Sequence, residues 1–93
     1  MEADNTPPPL PVRIRLQAVD HARNIARDYE INAAVDLFGY WIVSLKWGRI
    51  GSKGITRSCS FSDQRAATRF IKSAITRRAS ARRRFGVAYR SVG

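Results

Sequence analysis

The chain has 93 residues, 44% hydrophobic and 10% aromatic, which suffices for one small folded domain and excludes a wholly disordered chain. Lysine and arginine outnumber aspartate and glutamate by 17 to 7, and the resulting charge of +10 favours a polyanionic partner such as nucleic acid. One cysteine and one histidine exclude an internal disulfide and an ordinary zinc site, and no apolar run is long enough for a membrane helix.

The first segment, residues 1–11 (MEADNTPPPLP), is predicted to be a disordered tail. Its three consecutive prolines lack backbone donors and favour the extended polyproline conformation. The segment also lacks the basic and then apolar residues of a signal peptide. We therefore expect one domain over residues 12–93, in a cytoplasmic protein that uses no metal, no cofactor and no membrane surface.

Alternation of apolar and polar residues predicts four strands after this tail. The first begins at Val12, and the others cover about residues 28–35, 40–47 and 55–61. Ile55, Cys59 and Phe61 share one face of the fourth strand, and we expect that face to meet the core.

Two turns connect the later strands. The turn at 36–39 contains Leu37 and Phe38, which we expect to fold back onto the core because large apolar side chains gain free energy by leaving water. Gly48, Gly51 and Gly54 predict a tight loop between antiparallel strands, since glycine permits positive φ and close backbone approach.

A helix is predicted from Asp63 to about Arg78, with Ser62 as its N-cap. Its apolar residues fall on one stripe at 100° per residue, and its basic residues fall on the opposite stripe. The two sets are Ala67, Phe70, Ile71, Ala74 and Ile75, and then Arg65, Arg69, Lys72 and Thr76. A short last strand within 85–92 would complete an α+β fold, an antiparallel four- to five-stranded sheet packed against one C-terminal helix.

The positive charge is concentrated in the last part of the chain. Residues 57–93 contain ten basic residues against Asp63 alone, including the consecutive arginines Arg82, Arg83 and Arg84. Such a cluster suits phosphate groups, which accept paired hydrogen bonds from guanidinium. A merely solvated basic surface is the alternative interpretation of the same residues.

Catalysis finds little support in the residue types present. Cys59 is the one possible thiol nucleophile and lies on the inferred core face, where free cysteines are usually inert. No carboxylate pair stands out as a general acid and base, and the glycine-rich loop lacks the lysine and hydroxyl at the positions that a nucleotide-binding loop requires, Gly-Lys-Ser/Thr. We therefore expect a binding protein rather than an enzyme.

The segment Trp47-Gly48-Arg49-Ile50-Gly51 places an aromatic ring, a guanidinium and two glycines within five residues. Tryptophan and arginine can stack on a base or sugar, and glycine lets a nucleic-acid backbone come close. By its parity, however, Trp47 could equally close the core, and the spacing alone leaves both interpretations open.

These five residues resemble the signature of the WGR domain, which is named for the first three. The flanking residues Tyr29-Glu30-Ile31, the run from Asp36 to Trp41, and Gly54, Thr56, Arg57 and Phe61 are similar to the pattern around that motif. The similarity extends over about residues 13–90, with a lead-in like that of free-standing bacterial members.

The resemblance implies an antiparallel sheet against one helix and a role in DNA binding near strand breaks, as in eukaryotic poly(ADP-ribose) polymerases. It implies that Trp47 packs on a sugar at a 5′ end and that Arg57 contacts DNA, while Arg49 serves DNA or inter-domain contacts. Gly48, Lys53 and the cluster Arg82–Arg84 complete the predicted DNA-binding set.

Two other functions remain open from the sequence. The chain could be a protein–protein interaction module of a bacterial regulatory system, because WGR domains also touch neighbouring domains. It could also bind RNA, because aromatic residues beside basic ones suit single strands.

Overall fold

The computed structural model describes residues 12–80 and 86–92, and it confirms the α+β architecture. Five strands and one helix follow in the order β1 (Val12–Asp20), β2 (Ile25–Val35), β3 (Trp41–Arg49), β4 (Ile55–Phe61), α1 (Gln64–Ala79) and β5 (Arg90–Val92). A short 3-10 turn, His21–Arg23, joins β1 to β2. The sheet is antiparallel with strand order β4-β3-β2-β1-β5. The predicted tail, residues 1–11, and the cluster Arg82–Arg84 lie outside the described residues.

The core forms between one face of the sheet and α1. Tyr29, Ile31 and Val43 are the largest fully buried side chains. Cross-strand pairing places Tyr29 opposite Trp47 and Ile31 opposite Leu45, so one face of β2 and β3 carries the apolar residues. Alternation therefore decides which face is buried.

The helix covers this face with small residues and begins one residue later than expected. Its N-cap is Asp63 rather than Ser62, and the Asp63 carboxylate accepts a hydrogen bond from the backbone N–H of Ala66 at 2.9 Å. That bond, with nearby Arg65, lowers the pKa of Asp63. The buried stripe contains Ala67, Thr68, Ile71 and Ala74, whereas the predicted Ile75 is turned partly to water.

The prediction for Leu37 and Phe38 was wrong. Both side chains project from the turn between β2 and β3, with 98% and 84% of their surface exposed. The turn is tight: the Asp36 carboxylate accepts hydrogen bonds from the backbone N–H groups of Phe38 (2.8 Å) and Tyr40 (3.0 Å). These hydrogen bonds fix the backbone of the turn, so its two central side chains point away from the core and cannot fold back onto it.

The remaining differences concern the ends of strands. β2 begins at Ile25, earlier than predicted, because Ile25 pairs with Asp20 across the 3-10 turn. The last strand contains only Arg90–Val92, which pair with β1. On β4, Cys59 is half-buried as expected, but Ile55 is 59% exposed because it lies at the strand's outer end.

Candidate nucleic-acid interface

A cavity of about 380 Å³ lies where the start of β2, the end of β3 and the end of α1 meet. Its lining comes from four parts of the chain that are distant in sequence. The lining residues are Asn24, Ile25, Ala26, Arg27, Asp28, Trp47, Gly48, Arg49, Arg78 and Tyr89. The whole Trp-Gly-Arg motif thus lies in one concave surface.

Trp47 has two environments. It is half-buried and packs against the core, opposite the fully buried Tyr29. It also lines the cavity, so part of the indole remains accessible to a ligand. The same side chain therefore packs against the core and also contributes to the cavity lining.

Arg49 is held in place by Asn24. Its Nη2 donates to the Asn24 side-chain oxygen at 2.7 Å, and its Nη1 donates to the Asn24 carbonyl at 3.2 Å. Asn24 has φ 54° and ψ 41°, a left-handed conformation that asparagine tolerates better than most residues. This turn residue therefore orients the guanidinium without neutralising its charge.

Arg78 approaches the cavity from the end of α1. Its guanidinium carbon lies 4.1 Å from the centre of the Tyr29 ring, a cation–π contact. Tyr89 meets the same ring edge-on at 6.4 Å between centroids. The positive group is thus fixed against a buried aromatic face rather than extended into solvent.

The backbone of the motif needs glycine at two places. A Cβ at Gly48 would lie 2.7 Å from the Cα of Gly54, and a Cβ at Gly54 would collide with the carbonyl oxygen of Trp47. Gly54 also has a φ of 69°, which side chains disfavour. These two glycines let β3 and the loop before β4 approach closely and keep Trp47 in its position.

The electrostatics of the cavity favour an anion. Three arginines line it against one carboxylate, Asp28, and among the described residues neither Arg49 nor Arg78 forms a salt bridge. Arg78 Nε and Asp28 Oδ1 are buried and have no hydrogen-bond partner in the part of the chain that the structure describes. The charges of Arg49 and Arg78, which form no salt bridge with a described carboxylate, attract anionic groups of a ligand.

The other predicted site residues lie around the cavity rather than in it. Lys53 is exposed and lines a small neighbouring cleft together with Trp47, Gly48 and Arg49. Arg57 is exposed on β4, opposite Leu45, and does not belong to the described lining of the main cavity. Arg82, Arg83 and Arg84 lie outside the described residues.

The sequence interpretation missed seven of the ten lining residues, among them Asn24, Arg27, Arg78 and Tyr89. For two of these residues, the periodicity of the sequence could have predicted the position. Arg78 follows Ile71 and Ala74 at seven and four residues, so it continues the buried stripe of the helix. Arg27 shares the parity of Tyr29 and pairs with Arg49 across the strands.

The described residues contain neither a membrane-spanning helix nor a cluster of metal-ligating side chains. The helix that the structure describes is not both long and apolar enough to cross a membrane. Within residues 12–80 and 86–92, no group of three histidine, cysteine, aspartate or glutamate side chains is placed to hold a metal ion.

Comparison with known proteins supplies a family. The profile of the WGR domain matches residues 12–85. An uncharacterized protein of Sinorhizobium fredii, y4dW, is 36% identical over 61 residues, which cover 66% of this chain and 30% of that protein. The chain thus spans less than a third of that relative's length, and no solved structure gives a significant match. WGR domains are non-catalytic and are known as a type of nucleic-acid-binding module. On this match over most of its length, the chain belongs to the WGR domain family.

Proposed function

We propose that the protein binds DNA, with a preference for ends or nicks, through the cavity around Trp47. The proposal rests on one observation: the half-buried indole of Trp47 lines the same cavity as Arg49 and Arg78. Neither arginine forms a salt bridge with an aspartate or glutamate among the described residues. The mechanism is positioning, with no chemical step on the bound nucleic acid.

Trp47 would supply the preference for ends. An indole needs the exposed face of a sugar or base, and an intact duplex offers that face only at a terminus or a break. Because the core holds one side of the ring, stacking requires little further ordering. The same reasoning favours DNA ends over the uninterrupted duplex.

The arginines would supply affinity. Arg49 and Arg78 are oriented by Asn24 and by the Tyr29 ring, so their charge is already directed at the cavity. Lys53, Arg57 and the cluster Arg82–Arg84 would contact phosphates farther along the duplex. Replacing the three clustered arginines with alanine should weaken binding to ends and interior alike and should lower the salt slope by up to about 0.9 per lost contact.

An NMR titration with a short 5′-phosphorylated duplex tests the proposal. The Trp47 indole N–H should shift on binding, whereas the Trp41 indole, at the other end of β3, should not. The control is the same duplex with both ends closed by hairpin loops, which should leave the Trp47 signal nearly unchanged. If the Trp47 signal does not shift with the open duplex, or shifts equally with single-stranded RNA of the same length, DNA ends are not the preferred ligand.

A further inference from the structure

We infer that two copies of this chain pair through the turn between β2 and β3, the side chain of Phe38 of each copy entering a shallow pocket on the other. The turn, residues 36–40, is called the tip. The pocket lies on the sheet face that α1 leaves uncovered, and it is called the open-face pocket. This inference does not depend on nucleic-acid binding, because the tip lies at the opposite end of β2 and β3 from Trp47.

The tip has the form of an interaction element. Leu37 and Phe38 are the two most exposed large apolar residues among those the structure describes. Their backbone is fixed by the Asp36 carboxylate and by a bond from the Asp36 N–H to the Tyr40 carbonyl at 2.8 Å. Two adjacent apolar side chains held out on a rigid turn gain free energy when a partner covers them, with little entropy lost in ordering.

The open-face pocket of the same molecule matches the size of the Phe38 side chain. The open-face pocket has a volume of about 360 Å³, large enough to receive a phenyl ring. Ala34 and Ile42 contribute apolar side chains to it, and Arg13, Asn32 and Ser44 also line it. Val12 and Ala33, which pack on the core side of the sheet, border it. The small side chain of Ala34 leaves the space that would otherwise be filled.

The positions of tip and pocket suit a two-fold axis. Ala34 pairs with Ile42 in the pocket, and the next pair along the strands is Val35 with Trp41, directly below the tip. Tip and pocket are therefore neighbours at one end of one hairpin. In a pair related by two-fold symmetry, each surface patch must contact its counterpart reciprocally, and adjacent elements allow both insertions at once.

Charge also favours a second copy over other occupants. Asp36 places a carboxylate at the base of the tip, which disfavours a nucleic acid or an anionic lipid surface there. Arg13, which is exposed and donates to Glu30 of its own chain at 2.9 Å, lines the pocket. Insertion of the tip would bring Asp36 of one copy towards Arg13 of the other, twice per pair.

The contact would be small. Two leucines, two phenylalanines and two pocket surfaces amount to a total buried area on the order of 1,000 Å², at the low end for specific interfaces. We therefore expect a reversible dimer that forms at high protein concentration. High salt should favour it, because two chains of +10 repel each other.

Sedimentation velocity over a series of protein concentrations tests the inference on the whole chain. The average mass should rise from the 10.5 kDa of one chain towards twice that value. The double variant Leu37→Ala, Phe38→Ala should weaken association at least about tenfold. The matched control is Val19→Ala, which removes apolar surface that is also exposed but lies away from the tip.

A second pair of variants distinguishes insertion from tip-to-tip packing. Ala34→Gln should fill the pocket and weaken association in the same way. A mixture of the tip variant with Ala34→Gln should form a mixed pair with one intact insertion and should associate more tightly than either variant alone. A wild-type chain that stays monomeric at every concentration overturns the inference, as does an Ala34→Gln variant that dimerises like wild type.

Discussion

Both ends of the β2–β3 hairpin carry large apolar side chains, but these side chains are exposed at one end and packed against the core at the other. At one end, Leu37 and Phe38 stand almost fully in water above a carboxylate. At the other end, Trp47 packs against the core, and Arg49 and Arg78 surround it. The two ends are roughly 20 Å apart, six residues of β3 at about 3.4 Å each.

The difference follows from what covers each end. α1 runs across the sheet so that its last turn places Arg78 over Tyr29, beside Trp47. The tip has no such cover among the described elements, and its turn is closed by its own hydrogen bonds. An apolar residue near a turn is therefore buried or exposed according to the neighbouring element, not according to its own hydrophobicity.

The largest effect is expected from Trp41, which lies just below the tip. Trp41 is half-buried and packs against the core, opposite Phe61. Trp41→Ala should lower the free energy of unfolding by about 3 kcal/mol, the low end for a large aromatic residue because one side is open. Phe38→Ala, three residues away, should change it by less than about 0.5 kcal/mol. Chemical denaturation of both variants measures this, and equal losses would show that the tip packs in solution.

Glycine substitutions compare the backbones of the two ends. Gly54→Ala places a Cβ against the Trp47 carbonyl at positive φ and should destabilise the fold by about 2–3 kcal/mol. Gly39→Ala, at the tip, also has positive φ (86°) but meets no atom within 4 Å, so only about 1 kcal/mol is expected. Thermal unfolding measures the stability of the two variants. A Gly39→Ala variant that loses as much stability as Gly54→Ala would contradict the explanation by close approach.

Asn24 offers a test of how the arginine at the cavity is oriented. Asn24→Gly keeps the left-handed turn and removes the 2.7 Å bond to Arg49. We expect duplex affinity to fall about threefold to tenfold, because a hydrogen bond that fixes a charged group is worth on the order of 1 kcal/mol. The control is Asn32→Gly, on β2 and outside the cavity, and both affinities are measured by fluorescence anisotropy. Unchanged affinity in the Asn24 variant would mean that Arg49 needs no support.

The smallest effect concerns Glu30, which pairs with Lys46, one residue from Trp47. The Asn32 amide donates to its carboxylate at 3.1 Å and Arg13 donates at 2.9 Å, and both lower the pKa of Glu30. Since the folded pKa lies below the unfolded one, the stabilisation is present above the ordinary glutamate pKa and is lost as pH falls through the folded value. Glu30→Gln should therefore reduce the acid-side loss of stability slightly. Denaturation midpoints measured from neutral to acid pH check this, and an unaltered pH profile would exclude the contribution.

Sequence patterns predicted the sheet, the helix and the buried face because these depend on local periodicity. In β3, Trp41, Val43, Leu45 and Trp47 alternate onto the face that meets the core, and the helical period places Arg65, Arg69, Lys72 and Thr76 in solvent. The cavity could be predicted only in part. Trp47, Gly48 and Arg49 are contiguous, but Asn24, Arg78 and Tyr89 join them through tertiary packing. The exposed tip was missed for the same reason, since burial of Leu37 and Phe38 depends on an element elsewhere in the chain.

The central claim is that Trp47 recognises a DNA terminus or break by shape. Its most direct test compares binding to a nicked and a covalently closed duplex at three salt concentrations, for wild type and Trp47→Leu. Leucine retains apolar contact with the core and removes the flat ring, and Trp41→Leu is the matched control. Wild type and the control should prefer the nicked duplex, whereas Trp47→Leu should lose that preference, worth roughly 1–3 kcal/mol, with its salt slope unchanged. A folded Trp47→Leu variant that prefers the nick as strongly as wild type would contradict the claim.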